Sequence, residues 1–464
     1  MQPEFDPKKY NVIFIFLTRK NIFRVTLLII SLLSIVNIAL KLGDQAFIES
    51  TEEIPNNTIQ ENIINSSLEI FQKNTINSSL ETPLTEDEKI NMKYCQEKTC
   101  KFVFPYFHPE QETRANIHTR LYAQLAQPLN RTIVISNVGR SRVQACSPYP
   151  FDFYYNMKAF QKLYPDTRFI TQEDFLKWIQ ERNIKPIAQH FWMIQDGRGD
   201  FLSIREKKVM GVYKGVEMGR KEKTRYCLDK FDLNITDYKE FHTGIKILDL
   251  EAMFNLVKNT LKTPPITESE VIMILNRAPR EVFPFIDKVI PYSPNIIKQS
   301  KSIIKKLKPY IAIHWRMEQG DPELMPQCAE KLIIKVKKIQ KKYGIKNVYF
   351  ATDYPLNGGR PQSQTFHEFS NFHKEAIKIL EHIKFDTWVS LDGFSQIRND
   401  SKYKAEFRGS GIHGILDKLV CINAKYFLKG PKGCARTISS FTSIIAEERE
   451  KLKDKYDLIN VVSS

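Results

Sequence analysis

The segment Ile311–Asp321 reads IAIHWRMEQGD: an apolar run ends in His314, Trp315 and Arg316 and then turns acidic. In open parallel sheets, ligands sit beyond the carboxyl ends of the strands. A strand over YIAIH would therefore deliver His314 and Arg316 to such a rim. The planar fork of arginine donors suits phosphate oxygens. The competing readings are a structural pair of Arg316 with Glu318 or Asp321, a satisfied core histidine, and a tryptophan that only packs. Asp353 closes YFATD, at the matching edge of the next strand. There it could accept from a base, a sugar hydroxyl or a neighbouring arginine, or serve as a cap or turn residue. In TISSFTSIIAEER (Thr437–Arg449) small hydroxyl residues open onto an amphipathic helix. Helix N-termini carry unpaired N–H groups that bind phosphate, and Ser439 and Ser440 could add donors; plain N-capping explains the same pattern. In NVGRSRVQAC (Asn137–Cys146), Gly139 permits a tight turn, and Arg140 and Arg142 bring two cations to it. A solvated basic loop is the alternative there.

Some motifs are missing from the sequence. It holds no Asp-x-Asp triplet, no His-Glu-x-x-His and no Gly-x-Ser-x-Gly. Metal-chelating nucleotide-sugar sites of the GT-A kind, zincin hydrolysis and the serine-hydrolase elbow therefore find no support. A pyrophosphate bound here would have to be held by Arg316, backbone amides and hydroxyls.

The elements that would position these residues alternate. RTIVISN and TRFIT read as strands, followed by helical spacing in FYYNMKAFQKLY and EDFLKWIQERN; GIKILDL and EVIMIL are further strands. In the second half, Ile296, Ile297, Ile303, Ile304 and Leu307 share a helical face before Pro309. YIAIH is a strand, and Ala329, Leu332, Ile333, Val336 and Ile339 mark a helix that Gly344 would cap. NVYFATD completes a strand–helix–strand crossover. A helix through Phe369, Phe372, Ala376, Ile379, Leu380 and Ile383 follows. Then come a strand DTWVSL, a helix IHGILDKLVCINA, a strand YFLKG and a helix FTSIIAEERE. This pattern is an α/β protein with two sheet domains and a cleft between them.

The 464 residues carry a formal net charge of +16, which favours anionic partners. Residues 22–42 are mostly apolar and about long enough to cross a bilayer core of roughly 30 Å. Lys8, Lys9, Arg19, Lys20 and Arg24 flank the uncharged stretch Val25–Leu40 on its N-terminal side. The sequence thus predicts a cytosolic tail (1–21), a retained anchor (22–42) and a solvated stem (43–92). Asn-x-Ser/Thr sequons at Asn56, Asn65, Asn77, Asn130, Asn234 and Asn399 fit a lumenal body. Nucleic acid is then disfavoured as a partner despite the charge. Seven cysteines leave at least one unpaired within the chain.

YIAIHWRMEQGD, VYFATD and DKLVCINAKYFLKG…SSFTSIIAEER together resemble the three ordered motifs of the GDP-fucose fucosyltransferases. That superfamily includes protein O-fucosyltransferases, plant O-fucosyltransferase-like proteins and α1,6-fucosyltransferases. The likeness is fullest over Ser293–Arg449. It implies a GT-B-like fold, two Rossmann-like domains facing a cleft, with residues 93–290 on the acceptor side and 291–464 on the GDP-fucose side. By position, Arg316 would grip the diphosphate and stabilise the leaving group, and His314 would line the nucleotide pocket. Ser439, Ser440 and Phe441 would cradle the phosphates, and Asp417 and Asp353 would face the donor. Two departures stand out: PKGCARTI lengthens the loop before SSFT, and NVGRSRVQ stands where the family has its glycine-rich N-terminal loop. Asn137, Gly139, Arg140 and Arg142 are the corresponding binding candidates. No base is evident; Asp152 and Glu318 are candidates on chemistry alone. The expectation is a single-pass type II enzyme of the Golgi or endoplasmic reticulum membrane. It would move fucose from GDP-fucose to a protein or glycan hydroxyl, with inversion, no cofactor and no metal. The alternatives are another nucleotide sugar on the same fold, or a non-catalytic lumenal glycan binder.

Overall fold

The computed structural model describes residues 83–461, apart from 109, 195–229, 245–248, 277–288, 357–362, 364–365, 367, 392–405, 407–409 and 438. Pro83–Ser464 forms one compact unit. The anchor read at 22–42 lies outside the described residues, and among those described no helix is long and apolar enough to cross a membrane. The folded body starts inside the segment read as stem. Helix α1 spans Glu86–Cys95, opened by a capping box between Thr85 and Glu88. The Cys95–Cys100 disulfide then turns the chain into the first sheet.

That sheet is built from β1 (Phe102–Phe107), β2 (Thr132–Ile135), β5 (Phe169–Thr171), β6 (Ile187–Ile194), β7 (Asn234–His242) and β8 (Val271–Asn276). A small antiparallel hairpin, β3 (Val138–Gly139) and β4 (Arg142–Val143), stands apart. The sheet order is β5-β2-β1-β8-β6-β7, with every pairing parallel. Its helices are α2 (Glu112–Ala126), α3 (Met157–Leu163), α4 (Gln172–Glu181) and α5 (Leu250–Leu261). β1, β2 and β8 are buried along their whole length, as strands covered on both faces must be. Of GIKILDL, residues 245–248 lie outside the described set, and Asp249 instead caps α5 through the Ala252 N–H. Neither β1 nor α2 is evident from periodicity. α2 is buried on nearly every side, so it carries no polar stripe for a 3.6-residue pattern to reveal.

The second sheet follows the expected alternation. It runs α6 (Pro294–Leu307), β9 (Tyr310–Trp315), α7 (Met325–Tyr343), β10 (Asn347–Thr352), α8 (Asn371–Leu380), α9 (Ser410–Ile422), β11 (Tyr426–Lys429), α10 (Ser440–Tyr456) and β12 (Ile459–Val461). The order β10-β9-β11-β12 is parallel throughout. Gly344 caps α7 in the left-handed conformation, as its position suggested. DTWVSL is not a strand. Asp386 makes one isolated bridge to Tyr349 and the chain then turns, with Trp388 buried against His413. One apolar cluster joins the sheets, running from Val103 and Ile272 of the first to Ala312 and Phe427 of the second.

Candidate active site

β9 and β10 pair in register up to His314 opposite Ala351 and Trp315 opposite Thr352. Arg316 and Asp353 are the next residues outward, so both emerge at the carboxyl rim. Asp353 accepts hydrogen bonds from the backbone N–H groups of Met317 (2.8 Å) and Glu318 (3.2 Å), which fixes the turn after β9. Burial pushes its carboxyl up to about 6, against the opposing pull of Arg316 and of those two amides.

Arg316 donates through Nη2 to Glu318 Oε2 (2.8 Å) and Ser363 Oγ (3.1 Å), and Ser363 itself donates to Glu318 Oε2 (2.6 Å). The structural pairing with Glu318 is therefore real, while Asp321 is exposed. The pairing does not exhaust the guanidinium. Its Nε is buried without a hydrogen-bond partner among the described residues, 3.8 Å from Asp353 Oδ2. The side chain keeps 16% of its surface open. The other oxygen of Glu318 accepts from Arg436 Nη1 at 3.2 Å.

His314 Nδ1 meets Thr442 Oγ1 at 2.9 Å, and its ring lies 4.7 Å from that of Phe441. Burial first, and the Arg316 charge second, hold the imidazole down to about 3, so it is neutral at physiological pH. Ser439 is the N-cap of α10: its Oγ accepts from the Thr442 N–H (3.3 Å) and from the Thr442 hydroxyl (3.0 Å). Ser440 is the first residue of that helix, among the unpaired amides. The fold thus gathers Arg316, His314, Asp353, Ser439, Ser440 and Phe441 at one rim.

The remaining candidates lie elsewhere. Asp417 is buried, and Tyr349 in the middle of β10 donates to it at 2.5 Å, which places it below the rim. Its neighbour Lys418 is the residue turned toward the site, with Nζ 5.6 Å from the Phe441 ring centre. Asn137, Gly139, Arg140 and Arg142 belong to the rim of the first sheet, after β2. Arg140 and Ser141 take positive φ (52° and 63°), giving a two-residue hairpin turn. A Cβ on Gly139 would come within 2.6 Å of Pro148 Cδ. The Arg140 N–H donates to Glu406 Oε1 (2.5 Å), and the Tyr154 hydroxyl donates to Glu406 Oε2, so this carboxylate ties the hairpin to the C-terminal half. Burial lowers the Arg142 guanidinium, and the Glu110 charge opposes this. Asp152 is exposed on a short turn, and Glu318 is engaged by Arg316, Arg436 and Ser363, so neither stands ready as a base.

Sequence reasoning missed Arg436, Ser363, and the buried pair of Glu112 with Lys418. A signal did exist for Arg436, since it sits in the lengthened PKGCARTI loop beside Cys434, one of the seven cysteines. For Ser363 the sequence offers none.

Three solved structures are similar to the chain at low identity. POFUT1 in its apo form is 15% identical, covering 78% of this chain and 97% of that one, with a TM-score of 0.44. POFUT1 in complex with GDP-fucose is 16% identical, covering 76% and 94%, with a TM-score of 0.43. The NodZ α-1,6-fucosyltransferase co-crystallised with GDP is 11% identical, covering 75% and 92%, with a TM-score of 0.33. No curated protein matches the chain. The family model for GDP-fucose protein O-fucosyltransferase matches residues 114–452, most of the folded body. The chain belongs to that family and is a glycosyltransferase.

Proposed function

We propose that the protein transfers fucose from GDP-fucose to a hydroxyl of a protein or glycan acceptor, with inversion and without a metal. One observation carries this reading: in a chain of this family, the Arg316 guanidinium stands at the carboxyl rim of β9, partly open to solvent and with Nε making no hydrogen bond among the described residues, near the N-terminus of α10. In the transfer, the acceptor oxygen attacks the anomeric carbon while its bond to the β-phosphate oxygen breaks. GDP departs with the bonding electrons, and the acceptor proton passes to solvent. Arg316 and the α10 amides would stabilise the charge that grows on the leaving diphosphate. His314, being neutral, serves as a wall and hydrogen-bonding group rather than a cation. The two Rossmann-like halves would face each other in the GT-B manner. The anchor at 22–42 would hold the body in the Golgi or endoplasmic reticulum lumen. Disulfides and the exposed sequon residues Asn130 and Asn234 fit that compartment.

The experiment is a donor screen on the folded body by calorimetry and turnover. GDP-fucose should bind and transfer in preference to UDP-sugars and other GDP-sugars. Arg316→Ala should lose at least about a hundredfold in transfer while remaining folded. A preference for a UDP-sugar, or a folded Arg316→Ala variant with full activity, overturns the reading. That neither Asp152 nor Glu318 stands ready as a base favours a second reading, a glycan binder without turnover. Tight GDP binding with no transfer to any acceptor would decide for it.

A further inference from the structure

We propose that Arg436 is a second cation for the donor diphosphate, set in place by a strap that a disulfide fastens over the end of β9. This rests on the donor site proposed above and adds to it a residue from outside the three motifs that carry the family resemblance. The strap is residues 430–436, between β11 and α10. Gly430 N–H donates to the His314 carbonyl (2.9 Å), and Asp321 N–H donates to that of Gly433 (2.9 Å). Trp315 Nε1 donates to the Cys434 carbonyl (2.8 Å), and Cys434 is disulfide-bonded to Cys328 at the start of α7. Arg436 N–H then donates to the carbonyl of Arg316 itself (3.0 Å). Each step of the strap is thus held by a residue of β9, of the turn after it, or of α7.

Its close fit is visible at two glycines. A Cβ on Gly320 would lie 2.3 Å from the Cys434 carbonyl oxygen, and one on Gly430 would lie 2.5 Å from Trp315 Cδ1. With the backbone so fixed, the Arg316 and Arg436 side chains converge on the two oxygens of one carboxylate, at 2.8 and 3.2 Å. Glu318 is almost fully buried, while the Arg436 side chain is 32% exposed. The anion lies beneath and the guanidinium opens outward, three residues before the N-cap of α10. A nucleoside diphosphate carries more charge than Arg316 alone can match, and a second fork of donors at this spot would complement its terminal phosphate. Glu318 is the positioning residue for both arginines.

The test is binding of GDP, GMP and guanosine to the folded protein, with Arg316→Ala and Arg436→Ala measured side by side. Arg436→Ala should weaken GDP about tenfold to a hundredfold, the scale of one hydrogen bond between charged groups. Guanosine should bind as before, and GMP should change far less than GDP. Arg436→Lys should recover part of the loss, and an unchanged melting temperature would show the strap intact. The proposal is overturned if Arg436→Ala binds GDP as the parent does, or if guanosine weakens as much as GDP. The first result alongside an impaired Arg316→Ala defeats only the role of Arg436. Unchanged GDP binding in both variants defeats the donor site as well.

Discussion

His314 and Asp353 lie at the ends of adjacent strands, and burial disfavours the charged form of each. The imidazole is held down to about 3, so as pH falls below 6.5 the unfolded chain takes up this proton before the native one does. Stability from His314 is therefore complete above 6.5 and lost as pH falls toward 3. Asp353 works in the opposite sense. Raised to about 6, it favours the native state below 3.8 and loses that contribution as pH rises through 6. His314→Gln keeps a hydrogen-bonding group for Thr442 and has nothing to protonate. On moving from pH 7 to pH 5 it should lose up to about 2 kcal/mol less than the parent, at about 1.4 kcal/mol per pH unit. Chemical denaturation at the two pH values checks this, and equal losses would mean that His314 is not buried as a neutral group. The sequence made these residues legible because a charge at the end of an apolar strand is an anomaly wherever it occurs. Where Asp417 would point was not legible for the opposite reason: on a helix one residue decides the direction, and the phase of α9 against the sheet depends on packing. Lys418, not Asp417, turned out to face Phe441.

At the scale of elements, the motif that closes the site proves to be two devices on one helix. The SSFT end of α10 makes the rim, whereas Arg449 near its middle has no part in chemistry. It is fully buried and donates to the carbonyls of Cys421 (3.0 Å), Ile422 (2.9 Å) and Ala424 (2.6 Å), capping the open end of α9. Strands and helices of the second sheet were readable because each has one apolar face. α2 was not, because it is buried on nearly every side with Asn116, His118, Thr119 and Arg120 among its buried residues, and the path of the strap was not, because it depends on a disulfide whose pairing spacing cannot give. The strap carries the prediction proper to this scale. Gly320→Ala forces a methyl group against a backbone carbonyl that cannot step aside, so it should cost about 1–3 kcal/mol of stability and weaken GDP binding together. Gly414→Ala on α9 is the control. Its Cβ would meet only Phe441 Cε2 at an ordinary 3.7 Å, and it should be neutral or stabilising by about 0.5–1 kcal/mol. Denaturation midpoints and GDP titration of both variants decide it, and equal behaviour would show that the strap yields.

At the scale of the whole molecule, the two sheets are locked by a polar knot as well as by their shared apolar cluster. Glu112 opens α2 in the first half, and Lys418 lies on α9 in the second; their side chains meet at 2.6 Å, both almost wholly buried. Tyr155 and Tyr292 each donate to the other Glu112 oxygen at 2.9 Å, so the carboxylate is satisfied from three sides. Removing one partner of such a pair leaves a charge in the interior without its counter-ion, whereas removing both charges does not. Lys418→Met should therefore destabilise the protein by about 3–5 kcal/mol. Adding Glu112→Gln to it should restore a large part of that loss, because the amide can still accept from a tyrosine and no longer brings a charge. Since the apolar cluster runs through both sheets, both variants should unfold in a single transition. Chemical denaturation of the two single variants and the double variant measures the coupling. Additive losses, or a first transition confined to one half, would mean that the halves stand independently and that the knot does not hold the donor rim against the first sheet.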